Sequence, residues 1–292
     1  MLLSVSPMKN FNYLPAVAAL AVFASSAHSA QAADGVVLAK AGSFPKAGTK
    51  VTASRKMAMA NGTLNIEVGG QKMDGTCKIT ETETESIEYK SADKVLHEVT
   101  AGEKSQAMKI NGEEMPNQPA PPSLLKAPFT LTKADGKWTA KLDSGEDPSD
   151  DQKEELKKKE KSLNKPDDVP MYGTEPRKVG DTWTVDAADL PFADGDKETK
   201  GEVKLTFKAI EEYDGKKCAH LEGPMELTGK TDEEEGKDMS LKGTVVILRS
   251  LDDLMDLKMQ FTGKMELKGA VPNGTMSMSG EMTMEETSKV SH

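Results

Sequence analysis

Met255-Asp256-Leu257-Lys258-Met259-Gln260-Phe261-Thr262-Gly263-Lys264-Met265-Glu266-Leu267 decides how this chain folds. Every odd position is apolar or glycine, and every even position is polar. A period of two places alternate side chains on opposite faces of a strand, so the stretch predicts a strand with one buried face. The next stretch repeats the pattern, with Met276, Met278, Gly280, Met282 and Met284 set against Ser277, Ser279, Glu281, Thr283 and Glu285. Upstream, Met239, Leu241, Gly243, Val245 and Ile247 share one face of a strand, as do Val203, Leu205, Phe207 and Ala209. Leu221, Met225 and Leu227 mark a further strand between those two.

The joints carry turn chemistry. Asp214-Gly215 and Asn273-Gly274 supply the positive φ values that tight hairpins require. Asp252-Asp253 and the acidic stretch from Asp232 to Gly236 make the other turns, so residues 200–290 predict a five-stranded antiparallel meander. Toward the N-terminus, Val51 to Met59, Leu64 to Val68, Met73 to Tyr89 and Val95 to Ala101 read as strands, with Asn61-Gly62 joining the first two. Thr80 to Glu85 alternates Thr and Glu, polar on both faces, which suits an edge or an extension beyond the core. Met108 to Ile110 is a short candidate strand before Asn111-Gly112, and Phe129 to Leu142 is a hairpin turning at Asp135-Gly136. Between them, Pro116 to Pro122 must be extended or looped.

One helix is expected, over about 148–163. Asp147 suits its N-cap, Pro148 its first position, and Asp150 and Asp151 its positive end. Glu154–Lys158 and Glu155–Lys159 are i,i+4 pairs. Only Leu156 and Leu163 form an apolar stripe, so the helix reads as largely solvated.

The first 32 residues read as a secretory signal: Lys9 as the charged region, the apolar run Leu14 to Ala24, then small residues ending in Ala30-Gln31-Ala32. Cleavage after Ala32 leaves residues 33–292 as a single secreted or periplasmic β domain. It divides into an irregular half 33–142, a helix and linker 143–175 and a meander half 176–292. No interior stretch reaches the roughly 18 apolar residues of a membrane helix. With 38 Lys and Arg against 48 Asp and Glu, a net charge of −10 makes the chain a poor nucleic-acid binder. The 17 Met exceed the 2 Trp, 4 Tyr and 7 Phe together.

The expected fold class is therefore mainly β, a single long-stranded antiparallel sheet, half-barrel or barrel-like, with one surface helix. What covers its apolar face is the open question. Two halves packed as a sandwich or closed barrel make the Met rows a filled core; one curved sheet makes them a groove.

Glu175-Pro176-Arg177-Lys178-Val179-Gly180-Asp181-Thr182-Trp183 resembles the P-x-x-V-G-D-x-W segment found mid-chain in a family of uncharacterised secreted bacterial proteins. The flanks are similar too, with a helix before the segment and a strand carrying Asp214 to Cys218 after it. The layout is similar to the half-barrels of lipoprotein carriers and lipid-binding envelope proteins. That resemblance implies a curved antiparallel sheet holding an apolar ligand in its concave face, and it carries over no catalytic residue.

The candidate ligand-binding lining is Leu241, Val245, Ile247, Leu257, Met259, Phe261, Met265, Met276, Met278, Met282 and Met284. Methionine suits an adaptable groove, and more often it simply fills a strand core. Cu(I) is a third reading of the Met rows, requiring thioethers from neighbouring strands. His97 and His220, the only internal histidines, read as surface residues. No zinc or nucleophile motif is present, so no metal, cofactor or catalytic residue is expected and the chain reads as a non-enzyme. The carboxylates around Asp147 read as capping and solubility, and Asn61-Gly62-Thr63 and Asn273-Gly274-Thr275 match glycosylation sequons. Trp138 and Trp183 read as anchors of strand ends. Export favours a bridge between Cys77 and Cys218. Parity separates them, since Cys77 shares a face with Ile79, and Cys218 with His220 and Glu222.

The expected function is binding of an apolar ligand, lipid or lipoprotein. The alternative is a structural or protein-interaction module with no small ligand.

Overall fold

The computed structural model describes residues 35–114, 121–164, 168–190, 199–230, 238–271 and 273–292. The expected signal and its cleavage at Ala32, most of the proline stretch (116–120), and the turn from Asp232 to Gly236 lie outside the described residues.

The chain alternates strongly, and the strands follow. They are β1 (Lys50–Val68), β2 (Gln71–Ser91), β3 (Lys94–Ile110), β4 (Glu113–Glu114), β5 (Phe129–Ala134), β6 (Lys137–Leu142), β7 (Thr182–Asp186), β8 (Lys200–Tyr213), β9 (Lys216–Lys230), β10 (Asp238–Ser250), β11 (Asp256–Val271) and β12 (Gly274–Ser291). All twelve join one antiparallel sheet in the order β6-β5-β3-β2-β1-β12-β11-β10-β9-β8-β7, with β4 beside β3. The sheet is half-barrel-like and not closed. Its first and last long strands, β1 and β12, pair at its middle from Lys50–Ser291 to Val68–Gly274, so both halves share one hydrogen-bonded surface. The meander β8 to β12 stands where the alternation places it.

Asn61-Gly62 is not a turn. β1 runs straight through it and turns into β2 at Gly69-Gly70, both with positive φ. Gly62 sits in a bulge: pairing steps from Met59–Met282 to Thr63–Ser279. A Cβ there would lie 2.4 Å from Cys77 Sγ and 2.7 Å from Met59 Sδ, so glycine makes room for two sulfurs. The bulge shifts parity, and odd Met59 and even Leu64 reach the same cluster. That break in period is why β1 reads as two strands.

The Thr80–Glu85 stretch is not at an edge. It lies inside β2, between β1 and β3. Its glutamates are covered by α1 (Asp150–Asn164), the main helix. Ser149, not Asp147, caps that helix: its Oγ accepts from Gln152 N–H at 3.3 Å, and Gln152 Oε1 accepts from Ser149 N–H at 3.0 Å. Leu156 and Leu163 turn inward onto Val95, Val99, Leu124, Phe129, Leu131 and Trp138. The helix also guards an edge. Trp138 N–H donates to Asn164 Oδ1 at 2.9 Å and Ala140 N–H to Glu160 Oε1 at 2.7 Å, occupying donors of end strand β6.

Connecting segments, rather than a second sheet, cover the meander. Leu38 and Ala39, Met171 and Tyr172 around α2 (Val169–Tyr172), and Ala187 and Leu190 pack on Val203, Leu205, Phe207, Leu221, Ile247 and Phe261. Arg249, 1% exposed, ties them down. Its Nε donates to Leu38 O at 2.6 Å, Nη1 to Asp256 Oδ1 at 2.7 Å and Nη2 to Asp168 Oδ2 at 2.6 Å. Its guanidinium lies 4.1 Å from the Tyr172 ring centroid. The Glu175–Trp183 segment builds the adjoining corner. Arg177 bridges to Val36 and stacks over Trp183 at 4.4 Å, Gly180 takes φ 97°, and Asp181 Oδ2 accepts from Lys178 N–H at 2.7 Å.

Candidate functional site beneath helix α1

The alternation of β2 sends Glu81, Glu83 and Glu85 to the face that carries Ile79 and Ile87. Across the ladders, Arg55 pairs with Glu83 and Ala53 with Glu85 on β1, while His97 pairs with Ile87 on β3. Charged side chains thus interrupt an apolar face. Helix α1 closes over them, and Lys159 descends between Glu83 and Glu85.

Beneath the helix lies a cavity of about 380 Å³. Its walls are apolar, chiefly Ile87, Val95, Leu131, Leu163 and Met259; its polar side is Arg55, Glu83, Glu85, His97, Lys159 and Glu286. A second hollow of about 480 Å³ continues on the other side of Arg55, Glu83 and Lys159, toward Pro121, Pro122 and the first turns of α1. The bridge from Lys159 to the glutamates therefore stands between an apolar chamber and a charged vestibule.

Glu85 is the best-satisfied acid. Lys159 Nζ donates to its Oε1, and His97 Nε2 lies 2.5 Å from its Oε2. Burial alone would raise its pKa; the hydrogen bonds from His97 and Glu83 and the charge of Lys159 override that and hold it well below the carboxylate range. Glu83 is pushed up to about 7 by burial, then by its hydrogen bond and charge repulsion with Glu85, despite Lys159 and Arg55. Lys159 reaches Glu83 only at 3.9 Å. Burial also raises Glu286, opposed by Arg55 and reinforced by Asp256. Tyr89, raised to about 12 by burial and the charge of Asp168, stays a neutral phenol. Two carboxyls on one wall are thus poorly compensated, a common property of binding surfaces.

Only one residue of the expected lining, Met259, borders this cavity. Val245, Ile247 and Phe261 are buried in the main core, with Leu241 and Met284 packed against it. Met265, Met276 and Met278 belong to a separate cluster with Met59, Leu64 and Cys77. Met282 is buried opposite Met59 and Gly263. Leu257 leaves the row altogether: Leu248 pairs with Lys258 and Arg249 with Asp256, so Leu257 is a bulge residue and packs with Cys218, Leu248 and Tyr213. Sequence reading passed over Arg55, Glu83, Glu85, Lys159 and His97. His97 is buried rather than on the surface, at 8% exposure. The available signal was parity: Ile79, Glu81, Glu83, Glu85 and Ile87 share one face, as do Val95, His97 and Val99. The two cysteines are free and buried in different clusters. Among the described residues, no group of three or more His, Cys, Asp or Glu is placed to hold a metal ion, and no helix is long and apolar enough to cross a membrane.

No family model and no curated protein matches this chain. Among solved structures, it is similar to a chain described under lipid–protein interactions in lipovitellin, at 8% identity and a TM-score of 0.42, covering 85% of this chain. It spans 26% of that chain, about a quarter of its length. It is similar to the translocator domain of the autotransporter NalP from Neisseria meningitidis, at 7% identity and a TM-score of 0.21, covering 82% of this chain and 88% of that one. It is also similar to a DUF1329 family protein from Desulfovibrio piger, at 8% identity and a TM-score of 0.16, covering 78% and 84% respectively.

Proposed function

We propose that this chain is an exported, non-catalytic binding protein that holds an amphiphile, a lipid or the lipid part of a lipoprotein, beneath helix α1. The observation that carries the reading is the cavity: an apolar chamber of about 380 Å³ ending at a cluster of charged side chains under a helix. That volume lies within the usual range of ligand sites, and its mixture of apolar wall and a few convergent polar groups is what such sites present. The apolar wall would draw in a hydrocarbon tail at roughly 0.8 kcal/mol per buried methylene. The charged side would fix which end stays outside. Binding needs neither a nucleophile nor a metal. Export rests on the N-terminal segment, and its test is the mature N-terminus of the secreted protein, expected at Ala33.

Native mass spectrometry of the purified protein, with organic extraction of whatever it carries, tests the ligand. The expected result is a bound amphiphile that Ala53→Leu, which adds bulk to the chamber wall, displaces while the fold is kept. A protein that carries no such mass and binds no added ten-carbon amphiphile refutes the reading.

A further inference from the structure

The polar side of the chamber has an unbalanced charge. Three carboxylates, Glu83, Glu85 and Glu286, face two fixed cations, Arg55 and Lys159. Neither cation is free. Arg55 Nη2 is 3.0 Å from Glu81 Oε1. Lys159 bonds Glu85, which also takes the imidazole of His97. That leaves Glu83 with a hydrogen bond to another acid, Glu85, and a long 3.9 Å approach to Lys159 as its nearest cation contact. The side chain of Glu286 makes no ion pair or hydrogen bond among the described residues, and Arg55 and Lys159 act on it only through space. The vestibule adds Glu103, Asp151, Glu154 and Glu155 against Lys104 and Lys158.

A ligand completes such a site by bringing the missing charge. We infer that the amphiphile's polar end is a cation, an ammonium group seated beside Glu83 and Glu286 with its hydrocarbon tail on Ile87, Leu131 and Leu163. This rests on the reading of the cavity as a ligand site and names the ligand's chemical class. An anionic end would face Glu83 and Glu286 with Arg55 and Lys159 already engaged, and desolvated like charges repel strongly. A neutral end would leave both carboxyls uncompensated. The raised titration of both acids agrees: burial disfavours each as a bare carboxylate, and a cation beside it would relieve that. The groups facing them are Arg55 from β1, Glu81 and Glu85 from β2, His97 from β3, Asp256 from β11 and Lys159 from α1. As pH rises through about 7 Glu83 loses its proton, and the site comes to favour a cation.

The test uses three probes with the same ten-carbon tail, decylamine, decanol and sodium decanoate, titrated into the full mature protein below their aggregation concentrations. At pH 8 decylamine is expected to bind at least tenfold more tightly than decanoate, with decanol between them. Its advantage is expected to shrink several-fold at pH 5.5. In the Glu83→Gln, Glu286→Gln double variant the three affinities are expected to converge on that of decanol, whose retained binding shows that the chamber is intact. Decanoate binding as well as decylamine, or a decylamine preference that survives the double variant, overturns the inference and leaves the binding reading standing. Failure of all three probes to bind the wild-type protein overturns the binding reading itself.

Discussion

Lys159 on helix α1 bonds Glu85 on strand β2, a residue 74 positions earlier in the chain. The expected pairing within the helix, Glu155 with Lys159, is replaced: Glu155 pairs with Lys158 at 2.9 Å, and Lys159 turns to the sheet with Leu156 and Leu163. The bond is sheltered, with side-chain exposures of 23% and 13%. Removing one partner of a sheltered charged hydrogen bond costs about 1–3 kcal/mol. Lys159→Met is therefore expected to lower the unfolding free energy by that amount and to speed amide exchange over residues 150–164. Unchanged exchange there would show that the leucines alone hold the helix.

The same cluster sets a pH dependence. Glu83 titrates at about 7 in the folded protein against an ordinary 4.5. A carboxyl that binds its proton more tightly when folded stabilises the fold fully below its unfolded pKa, and that contribution disappears as pH rises through the folded one. Glu286 shifts in the same direction. Glu85 shifts oppositely, so its contribution is present above its unfolded pKa and is lost only in strong acid. From about pH 4.5 to 7, stability is therefore expected to fall as pH rises, by up to ~1.4 kcal/mol per unit for each proton released. Glu83→Gln should flatten that slope. Urea midpoints at pH 4.5, 5.5, 6.5 and 7.5 decide it, and a variant that tracks the wild type across the window would acquit Glu83.

The sheet was legible because a period of two is hard to imitate, and Asp135-Gly136 and Asp214-Gly215 turn with positive φ where their hairpin chemistry requires it. Bulges were illegible for the same reason: at Gly62 and Leu257 they shift parity without leaving the strand, so β1 read as two pieces and Leu257 joined a row it does not share. The candidate site was hidden by long range. Thr80 to Glu85 is polar on both faces in isolation. Its glutamates become interior only because Lys159 and two leucines arrive from a helix that reads as a solvated one. The cover of the meander was equally hidden, since Tyr172, Leu38 and Leu190 are single apolar residues in irregular segments, with no period to announce them.

Phe261 lies over a pair of glycines that oppose each other, Gly243 and Gly263. A Cβ on Gly263 would fall 2.3 Å from Lys242 O, 2.5 Å from Gly243 Cα and 2.8 Å from the Phe261 ring. The ring thus fills the space that two side chains would take. Gly263→Ala is expected to cost about 1–3 kcal/mol through overpacking, and Phe261→Ala about 3–5 kcal/mol through the cavity it leaves. Thermal melts of the two variants check this. The larger loss in Phe261→Ala would place that residue in the core rather than in any groove.

Cys77 and Cys218 lie on β2 and β9, each buried, with burial raising both thiols. A protonated, inaccessible thiol reacts slowly. Iodoacetamide is expected to leave the folded protein unmodified over minutes and to add two groups in denaturant without prior reduction. A requirement for reductant before alkylation would mean that the thiols had found a bridge.

Among the charged side chains, Arg249 carries the largest stability effect expected. Its charge is buried, and each face of the guanidinium fork has a partner: the Leu38 carbonyl, Asp256 and Asp168. Asp256 in turn accepts from the Tyr172 hydroxyl at 2.8 Å. Asp168 is 49% exposed and can rehydrate if its partner is lost, whereas Asp256, at 28%, and the Leu38 carbonyl are less able to. Arg249→Met is therefore expected to cost about 3 kcal/mol, at the lower end for a broken buried pair. Arg249→Lys should recover little, because one ammonium cannot span three acceptors that a planar fork reaches together. Asp168→Asn should cost well under half as much. Equilibrium urea unfolding of the three variants tests the order. Equal losses in Arg249→Met and Asp168→Asn would mean that the ion pair with Asp168, and not the anchoring of the Leu38 segment, is what the arginine supplies.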